Sequence, residues 1–197
     1  MLPDGYSDVP RGKIAAVVTS LEMLARPAAR PERADAPWRL REVREPDPDW
    51  YLALYRRIGA DWLWFSRLAM PRDELLAILR SPQVRVYAIE EAGEDLGLLE
   101  LDFREPRTCE IAFFGLVPSL LGQGAGRWLM NRALERAWAD GIERVWVHSC
   151  TLDHPSAVPF YVRSGFTAYQ RRIEIADDPR ITGALPLEAA PDVPVIR

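Results

Sequence analysis

The chain has 197 residues, of which 48% are hydrophobic and 27% charged, so it is long enough for one well-filled core and too short for two ordinary domains. Its formal net charge is −4, and the basic residues are scattered among 29 acidic ones, which argues against a nucleic-acid-binding surface. Two cysteines exclude a disulfide framework, and the best apolar run near the N-terminus is too short to span a bilayer. These features favour a cytoplasmic protein that binds neither nucleic acid nor membrane.

The first part of the chain predicts two strands followed by two helices. Residues 14–24 contain a β-branched run, and residues 38–43 alternate apolar and polar side chains, so each stretch predicts a strand. Residues 49–59 have apolar side chains at helical spacing, with Gly59 as the end of the helix. Residues 71–80 begin with proline and acidic residues and place leucines on one side, which indicates a second helix.

The middle of the chain predicts an antiparallel meander that leads into a parallel crossover. Strand-like runs cover residues 83–90, 95–103 and 108–116, and short turn sequences join them. A glycine-rich loop and an amphipathic helix follow, and residues 144–149 then form a strand. A strand entered in this way favours a parallel neighbour, so we expect a mixed sheet. The remaining predicted elements are a short helix at residues 154–162, a last strand at residues 167–175 and an irregular tail at residues 176–197.

The most informative segment is the glycine-rich loop between the meander and the amphipathic helix. Gly122, Gly124 and Gly126 stand at alternate positions, which lets the backbone turn tightly and approach a ligand closely. A helix that begins near Gly126 aims free N–H groups and its positive dipole end at the same place, which suits a diphosphate. The spacing fits neither a Walker loop nor a dinucleotide-binding fingerprint. Taken alone, the loop leaves a structural role and the binding of a nucleotide-like cofactor both open.

The same loop resembles motif A of the GNAT superfamily of N-acetyltransferases. That motif has a Val-x-Pro after a strand, followed by Arg/Gln-x-x-Gly-x-Gly/Ala. The matching residues are Val117, Pro118, Gly124 and Gly126. Leu121 departs from the pattern, because it stands at the Arg/Gln position.

A second segment, residues 154–166, resembles the family's Asn-x-x-Ala-x-x-Phe-Tyr-x-x-x-Gly-Phe. The two motifs follow each other at the family's spacing, and the resemblance covers residues 38–175. It implies the GNAT-like acyl-CoA N-acyltransferase fold of the α/β class, a central mixed β-sheet flanked by helices. We therefore expect an N-terminal segment at residues 1–37 with a possible extra strand, the acetyltransferase domain at residues 38–175 and a C-terminal tail at residues 176–197.

The resemblance implies that acetyl-CoA is the cosubstrate and that amides of the loop bind its pyrophosphate. An amide at the end of the preceding strand, of Leu116 or Val117, would polarise the thioester carbonyl and pair with the pantetheine arm. His154 stands where the family often has an asparagine that helps to fix the cofactor, and it can equally cap the short helix. The cofactor-binding residues expected on this basis are Leu116, Val117, Gly122, Gln123, Gly124, Ala125, Gly126, Arg127 and His154.

Two residues are candidates for proton transfer. By resemblance, Tyr161 is the general acid that protonates the CoA sulfur, and the alternative is an ordinary half-buried aromatic side chain. Glu110 alternates with Ile111 and Phe113 on its strand, so it could face the cleft and deprotonate the amine, directly or through water, or be a solvated carboxylate. The two histidines and two cysteines lack the spacing of metal ligands, so no metal site is expected.

The acceptor is expected to be a primary amine, with a small molecule as the first expectation and a peptide or protein amine as the alternative. Trp62 and Trp64 lie in a region that contributes to the acceptor pocket of this family, where aromatic walls suit an apolar amine or a cation. The alternative role for these two residues is packing in the core. The protein could also form a homodimer. Two further functions compete: an acyl-CoA-binding sensor without turnover, suggested by Leu121 and His154, and a nucleotide-binding protein that takes ATP or NAD.

Overall fold

A seven-stranded mixed sheet forms the framework of the residues that the computed structural model describes, 4–139 and 141–197. Its strands are β1 (Lys13–Met23), β2 (Arg39–Val43), β3 (Val84–Glu91), β4 (Glu94–Asp102), β5 (Thr108–Leu116), β6 (Arg144–Cys150) and β7 (Thr167–Asp177). The α-helices are α1 (Pro48–Gly59), α2 (Ser66–Ala69), α3 (Arg72–Leu79), α4 (Ala125–Ala137) and α5 (Ala157–Arg163). Within the described residues, no helix is long and apolar enough to cross a membrane.

The predicted fold class is confirmed. The strands lie in the order β2-β3-β4-β5-β6-β1-β7, and each predicted strand and helix is present with small shifts in its bounds. The structure adds α2, which directly follows the aromatic segment at residues 61–65, where the sequence indicates no element. Residues 1–3 of the predicted N-terminal segment lie outside the described residues.

The central feature of the sheet is a gap that opens between its two parallel strands. β5 and β6 pair only from Thr108–Arg144 to Glu110–Trp146, after which they separate. A register shift in the pairing of β4 with β5 leaves Ala112 of β5 without a partner. Such a bulge bends a strand and increases its twist. The carboxyl-terminal halves of β5 and β6 therefore form the two sides of a cleft.

The N-terminal strand β1 lies inside the sheet, between β6 and β7, and runs antiparallel to both. It pairs with β6 from Val18–Cys150 to Met23–Val145, and with β7 along nearly its whole length. Leu21 is fully buried in the main core. The sequence indicated only a possible extra strand ahead of the domain. In the structure this strand links the last two strands of the sheet, because within the described residues β7 pairs with β1 alone.

Helices cover both faces of the sheet beside the cleft. Successive side chains of a strand point to opposite faces. Phe113 of β5 contacts Tyr55 of α1, with 4.9 Å between the ring centroids, whereas the next residue, Phe114, contacts Phe160 of α5 at 5.6 Å. The cleft is therefore bounded by α1 on one face of the sheet and by α5 on the other.

The C-terminal segment has neither helix nor strand after β7 in the described part of the chain, but it is folded around a buried ion pair. Arg180 donates to the carboxylate of Asp178 at 2.9 and 2.8 Å, and both side chains are at most 2% exposed. The Nη1 atom of Arg180 also donates to three carbonyl oxygens of the segment, those of Ala189, Ala190 and Val193. A second apolar cluster joins this segment to β1 and consists of Ile14, Leu63, Leu185, Ala189 and Ala190.

Candidate active site

A cavity of about 300 Å³ occupies the cleft between β5 and β6. It brings together three segments that are far apart in the sequence. Its lining includes Leu121 and Gly126 of the glycine-rich loop, Tyr161 of α5, and Trp62 and Trp64 of the aromatic segment at residues 61–65. The two sequence motifs and the aromatic segment therefore meet at one site.

The glycine-rich loop presents unpaired backbone amides at the start of α4. Gly122 and Gly124 have φ values of 77° and 90°, in the left-handed region that favours glycine. The amide of Trp128 is bonded, since it donates to the carbonyl of Gly124 at 3.1 Å. The amides that find no acceptor among the described residues are those of Gly122, Gly124, Ala125, Gly126 and Arg127. Free N–H groups at the positive end of a thirteen-residue helix form an anion site.

Two polar side chains of this loop are already engaged elsewhere. Gln123 donates from Nε2 to the carbonyl of Ser119 at 2.6 Å, and Arg127 donates from Nη1 to the carbonyl of Pro31 at 2.9 Å. Leu121, in place of the family's Arg or Gln, is 47% exposed and adds an apolar wall to the cavity. Recognition of an anion here would therefore depend on the backbone and not on these side chains.

The end of β5 offers one free amide where the sequence suggested two candidates. The amide of Val117 donates to the carbonyl of Leu96 at 2.9 Å, so it belongs to the sheet. Along a strand, successive N–H groups point to opposite edges. The amide of Leu116 therefore points away from β4 and towards the cleft. The structure narrows the predicted pair of amides to that of Leu116.

Tyr161 lies on α5 with its ring against Phe114 and Phe166 and is only 6% exposed. Its hydroxyl makes no hydrogen bond with the described residues, although the residue lines the cavity. Burial, together with the charge of nearby Asp153, raises the pKa of Tyr161 well above its usual value. The phenol is therefore protonated at neutral pH and free to donate a proton into the cavity.

Glu110 does not line the main cavity but contacts a histidine that does. Its Oε1 lies 3.3 Å from Nδ1 of His148, and it is His148, not Glu110, that lines the main cavity. Glu110 lies instead in an adjoining depression beside Asp102 and Trp146. The hydrogen bond and charge of Glu110 raise the pKa of His148, and burial opposes this shift only in part. The sequence suggested that Glu110 could face the cleft directly. In the structure Glu110 pairs with His148, and it is His148 that faces the cleft.

The predicted acceptor residue Trp64 is held in place by an aspartate that the sequence did not single out. Asp153 accepts a hydrogen bond from Nε1 of Trp64 at 3.0 Å and others from the Ser149 hydroxyl and the Cys150 amide. A Cβ atom at Gly115 would come within 2.7 Å of the Trp64 ring, so the ring packs directly on the backbone of β5. The position of Asp153, directly after β6 and before the second motif, was the one signal in the sequence.

His154 has a structural role at the start of α5. Its Nδ1 accepts a hydrogen bond from the amide of Ser156 at 3.1 Å and lies 2.8 Å from the Ser156 hydroxyl. Its ring meets the edge of Trp62, with 5.1 Å between the centroids. These hydrogen bonds fix the turn that precedes α5 and do not cap the first turn of the helix, and the ring also lines the cavity.

A buried polar network supports the aromatic wall from behind. Glu100 accepts hydrogen bonds of 2.5 Å from the Tyr51 hydroxyl and from Nη2 of Arg67. The Arg67 guanidinium also lies over the ring of Phe113, 5.0 Å from its centroid. Burial lowers the pKa of Arg67, but the charge of Glu100 and the interactions with Tyr51 together outweigh this effect, so the pKa of Arg67 is raised. The opposite charges of Arg67 and Glu100 compensate each other, and this ion pair connects α2 to β4.

Comparisons with known proteins agree with this geometry. The model of the acetyltransferase (GNAT) family matches residues 30–166, and no curated protein matches the chain. A functionally unknown conserved protein from Staphylococcus epidermidis is 14% identical, with a TM-score of 0.55 over 85% of this chain and 63% of that one. An aminoglycoside acetyltransferase from an uncultured soil metagenomic sample is 18% identical, with a TM-score of 0.53 over 72% and 96%. The IAA acetyltransferase from Bacillus cereus is 19% identical, with a TM-score of 0.50 over 68% and 79%.

Because their sequence identities with this chain are low, these solved structures show that the fold is shared and nothing further. The chain spans less than two thirds of the length of the Staphylococcus protein, since the match covers 63% of it. The family match is the more specific finding, because it extends over most of the chain and includes the glycine-rich loop and the second motif. The chain belongs to the acetyltransferase (GNAT) family.

Proposed function

We propose that this protein is an N-acetyltransferase that moves an acetyl group directly from acetyl-CoA to a primary amine of a small molecule. The observation that carries the proposal is that one cavity is lined both by Gly126, whose amide is one of the free amides at the start of α4, and by Tyr161, whose hydroxyl is not hydrogen-bonded to the described residues. An anion site at one end and a proton donor within the same cleft suit a substrate that has a diphosphate and a thioester.

The residues of the cleft fit acetyl-CoA, which when bound supplies the acetyl thioester. The loop amides from Gly122 to Arg127 would bind the pyrophosphate. The Leu116 amide would donate to the thioester carbonyl and stabilise the negative charge that develops on its oxygen. The separated edge of β5 offers further backbone groups with which an extended arm can pair as an added strand does.

Proton transfer is assigned to two groups on the cavity wall. His148 accepts a proton from the substrate ammonium, and Glu110 stabilises the resulting imidazolium through Nδ1. The neutral nitrogen then bonds to the acetyl carbon, the bond from carbon to sulfur breaks, and Tyr161 gives its proton to the leaving sulfur. The nitrogen of the product, which is positively charged at this point, releases one proton, and a proton from solvent restores the phenol of Tyr161. A route through an acetylated cysteine is disfavoured, because burial raises the pKa of Cys150 to about 11 and keeps its thiol protonated.

A second candidate function is a sensor that binds acyl-CoA without turnover. Two observations favour it: Leu121 supplies no polar side chain to the loop, and Nδ1 of His154 is engaged with Ser156 in the turn before α5. Such a protein would bind acetyl-CoA and release no CoA thiol with any amine. The retained hydroxyl of Tyr161 favours the enzyme.

The first test is thermal unfolding of the purified protein with acetyl-CoA, ATP or NAD, followed by a thiol-release assay with a panel of amines. A ligand that binds only the folded state raises the unfolding midpoint, by a free energy of about 2.7 kcal/mol at a hundredfold excess over its Kd. We expect a rise with acetyl-CoA alone, and amine-dependent thiol release. No rise at saturating acetyl-CoA would refute the proposal, and a rise without thiol release would favour the sensor.

A further inference from the structure

One part of the cavity is lined neither by the glycine-rich loop nor by α5, and we call this part the acceptor chamber. It is enclosed by β1, β7, the turn after α1 and the loop after β6. Its apolar lining consists of Ile14, Ala16, Trp62, Leu63, Phe65 and Leu152. Leu63 and Ile14 are themselves backed by the C-terminal segment. The chamber therefore fits an apolar group, and its floor is closed by the tail of the chain.

Apart from the two histidines, the side chains of the cavity lining that carry a charge at neutral pH are carboxylates. Among the described residues that line the cavity, none is a lysine or an arginine. Asp153 is a lining carboxylate, but its two oxygens already accept three hydrogen bonds. Glu174 of β7, the partner of Ala16 in β1, also lines the cavity and forms no hydrogen bond or ion pair with the described residues. Glu174 is thus a free carboxylate on the lining of an apolar chamber, and the nearby base on the cavity lining, His148, is already paired with Glu110.

Few polar groups remain to recognise a hydroxylated substrate. The hydroxyl of Tyr55 is 3.1 Å from the Ser66 hydroxyl, so these two satisfy each other. The indole N–H of Trp64 is bonded to Asp153. A sugar-like amine would lose its water shell on entering the chamber without finding partners for its hydroxyl groups, which is unfavourable.

From this arrangement we infer that the acceptor is a monoamine on an apolar, aromatic-sized body without an anionic group, and that Glu174 binds its ammonium on entry. The inference rests on the proposed function and narrows its substrate class. Acceptors with a carboxylate or phosphate are disfavoured, since they would meet Glu174 with no lysine or arginine on the lining to bind them, and His148 is already paired with Glu110. Polyhydroxylated, polycationic amines such as aminoglycosides are excluded by the apolar lining.

The test compares three acceptors in the thiol-release assay with acetyl-CoA: phenethylamine, phenylalanine, which adds a carboxylate to the same skeleton, and the aminoglycoside sisomicin. We expect kcat/KM for phenethylamine to exceed the other two by at least about tenfold, because like charges and unpaired polar groups oppose them. A preference for phenylalanine or sisomicin would overturn the inference, as would the absence of turnover with phenethylamine.

Variants of Glu174 test its role separately. Glu174→Gln should raise KM for phenethylamine about three- to fivefold with little change in kcat, as expected for an exposed ion pair. Glu174→Arg should lower KM for phenylalanine. The matched control is Glu188→Gln, an exposed glutamate of the C-terminal segment outside the cavity lining, which should change neither. An unchanged KM in Glu174→Gln would remove Glu174 from the inference.

The two levels of proposal fail in different ways. If acetyl-CoA raises the unfolding midpoint and thiol release follows another acceptor class, the substrate inference is wrong and the proposed function stands. If acetyl-CoA does not raise the midpoint, the proposed function is wrong and the substrate inference falls with it.

Discussion

The phenol of Tyr161 is buried, without a hydrogen-bond partner among the described residues, and protonated, so the function of this one atom can be tested without disturbing the packing of its ring. Tyr161→Phe removes the proton and keeps the contacts with Phe114 and Phe166. We expect kcat to fall about 10²- to 10⁴-fold, the usual contribution of a general acid. The midpoint shift produced by acetyl-CoA should be unchanged.

The control for this variant is Tyr169→Phe, which removes a hydroxyl from a tyrosine that is 44% exposed on β7. Its kcat should equal that of the unmodified protein. Normal thiol release by Tyr161→Phe would show that another group or water protonates the sulfur, and the assignment of the acid would be wrong.

The Glu110–His148 pair makes a prediction about pH. The imidazole must be neutral to accept a proton, and Glu110 raises its pKa, as do the charges of Asp153 and Glu174. We therefore expect kcat/KM to rise with pH through this raised pKa. In Glu110→Gln the main cause of the shift is removed, so the rise should move to lower pH, while the maximal rate falls because the imidazolium is less stable.

The pH profile distinguishes the roles of the two residues. A rise that stays at the same pH in Glu110→Gln would mean that another group titrates, and His148→Gln would then leave the profile intact.

The Glu110–His148 pair also affects the stability of the fold. Because the folded-state pKa of His148 is raised, its contribution to stability is complete below the unfolded value, near 6.5, and is lost as pH rises through the folded pKa.

At the level of elements, the C-terminal segment depends on one side chain. Arg180→Met would leave the buried carboxylate of Asp178 without its partner, and would remove the donor to three carbonyl groups. We expect a loss of about 3–5 kcal/mol in the free energy of unfolding, measured by urea denaturation. The acceptor chamber should also loosen, because the segment packs on Ile14 and Leu63.

A matched control exists for this pair. Arg33 and Asp35 have the same spacing along the chain, but their side chains are 42% and 78% exposed. Arg33→Met should therefore lower the free energy of unfolding far less than Arg180→Met does. If both arginine variants cost the same, the buried pair does not hold the segment in place.

At the level of the whole molecule, the position of β1 makes the N-terminus part of the domain. Removal of residues 1–24 would take β1 out of the sheet, leaving β7 without a partner and uncovering Val145 and Val147 of β6. We expect such a chain to lose cooperative unfolding, measured by circular dichroism. Removal of residues 1–9, which precede β1 and include the exposed residues 4–9, is the control and should leave the transition unchanged. A cooperative transition in the longer truncation would show that residues 25–197 fold without β1.

The site shows where local sequence patterns reach their limit. The glycine positions and Tyr161 could be predicted, because a close backbone approach and a motif position are properties of a short segment. The pairing of Glu110 with His148, and of Trp64 with Asp153, could not, since each joins residues from different elements. The free Glu174 was missed for the same reason: nothing in a strand sequence tells which of its charges will face a cavity.

The sequence by itself determined the α/β class, nearly all of the elements and the family, because hydrophobic periodicity, turn residues and two motifs are local and survive without knowledge of the fold. The tertiary structure alone decided the place of β1 between β6 and β7, the gap between β5 and β6, and the polarity of the acceptor chamber. These features depend on which strand edges pair and on which faces meet. Those choices are made by burial over the whole sheet and not by any one segment.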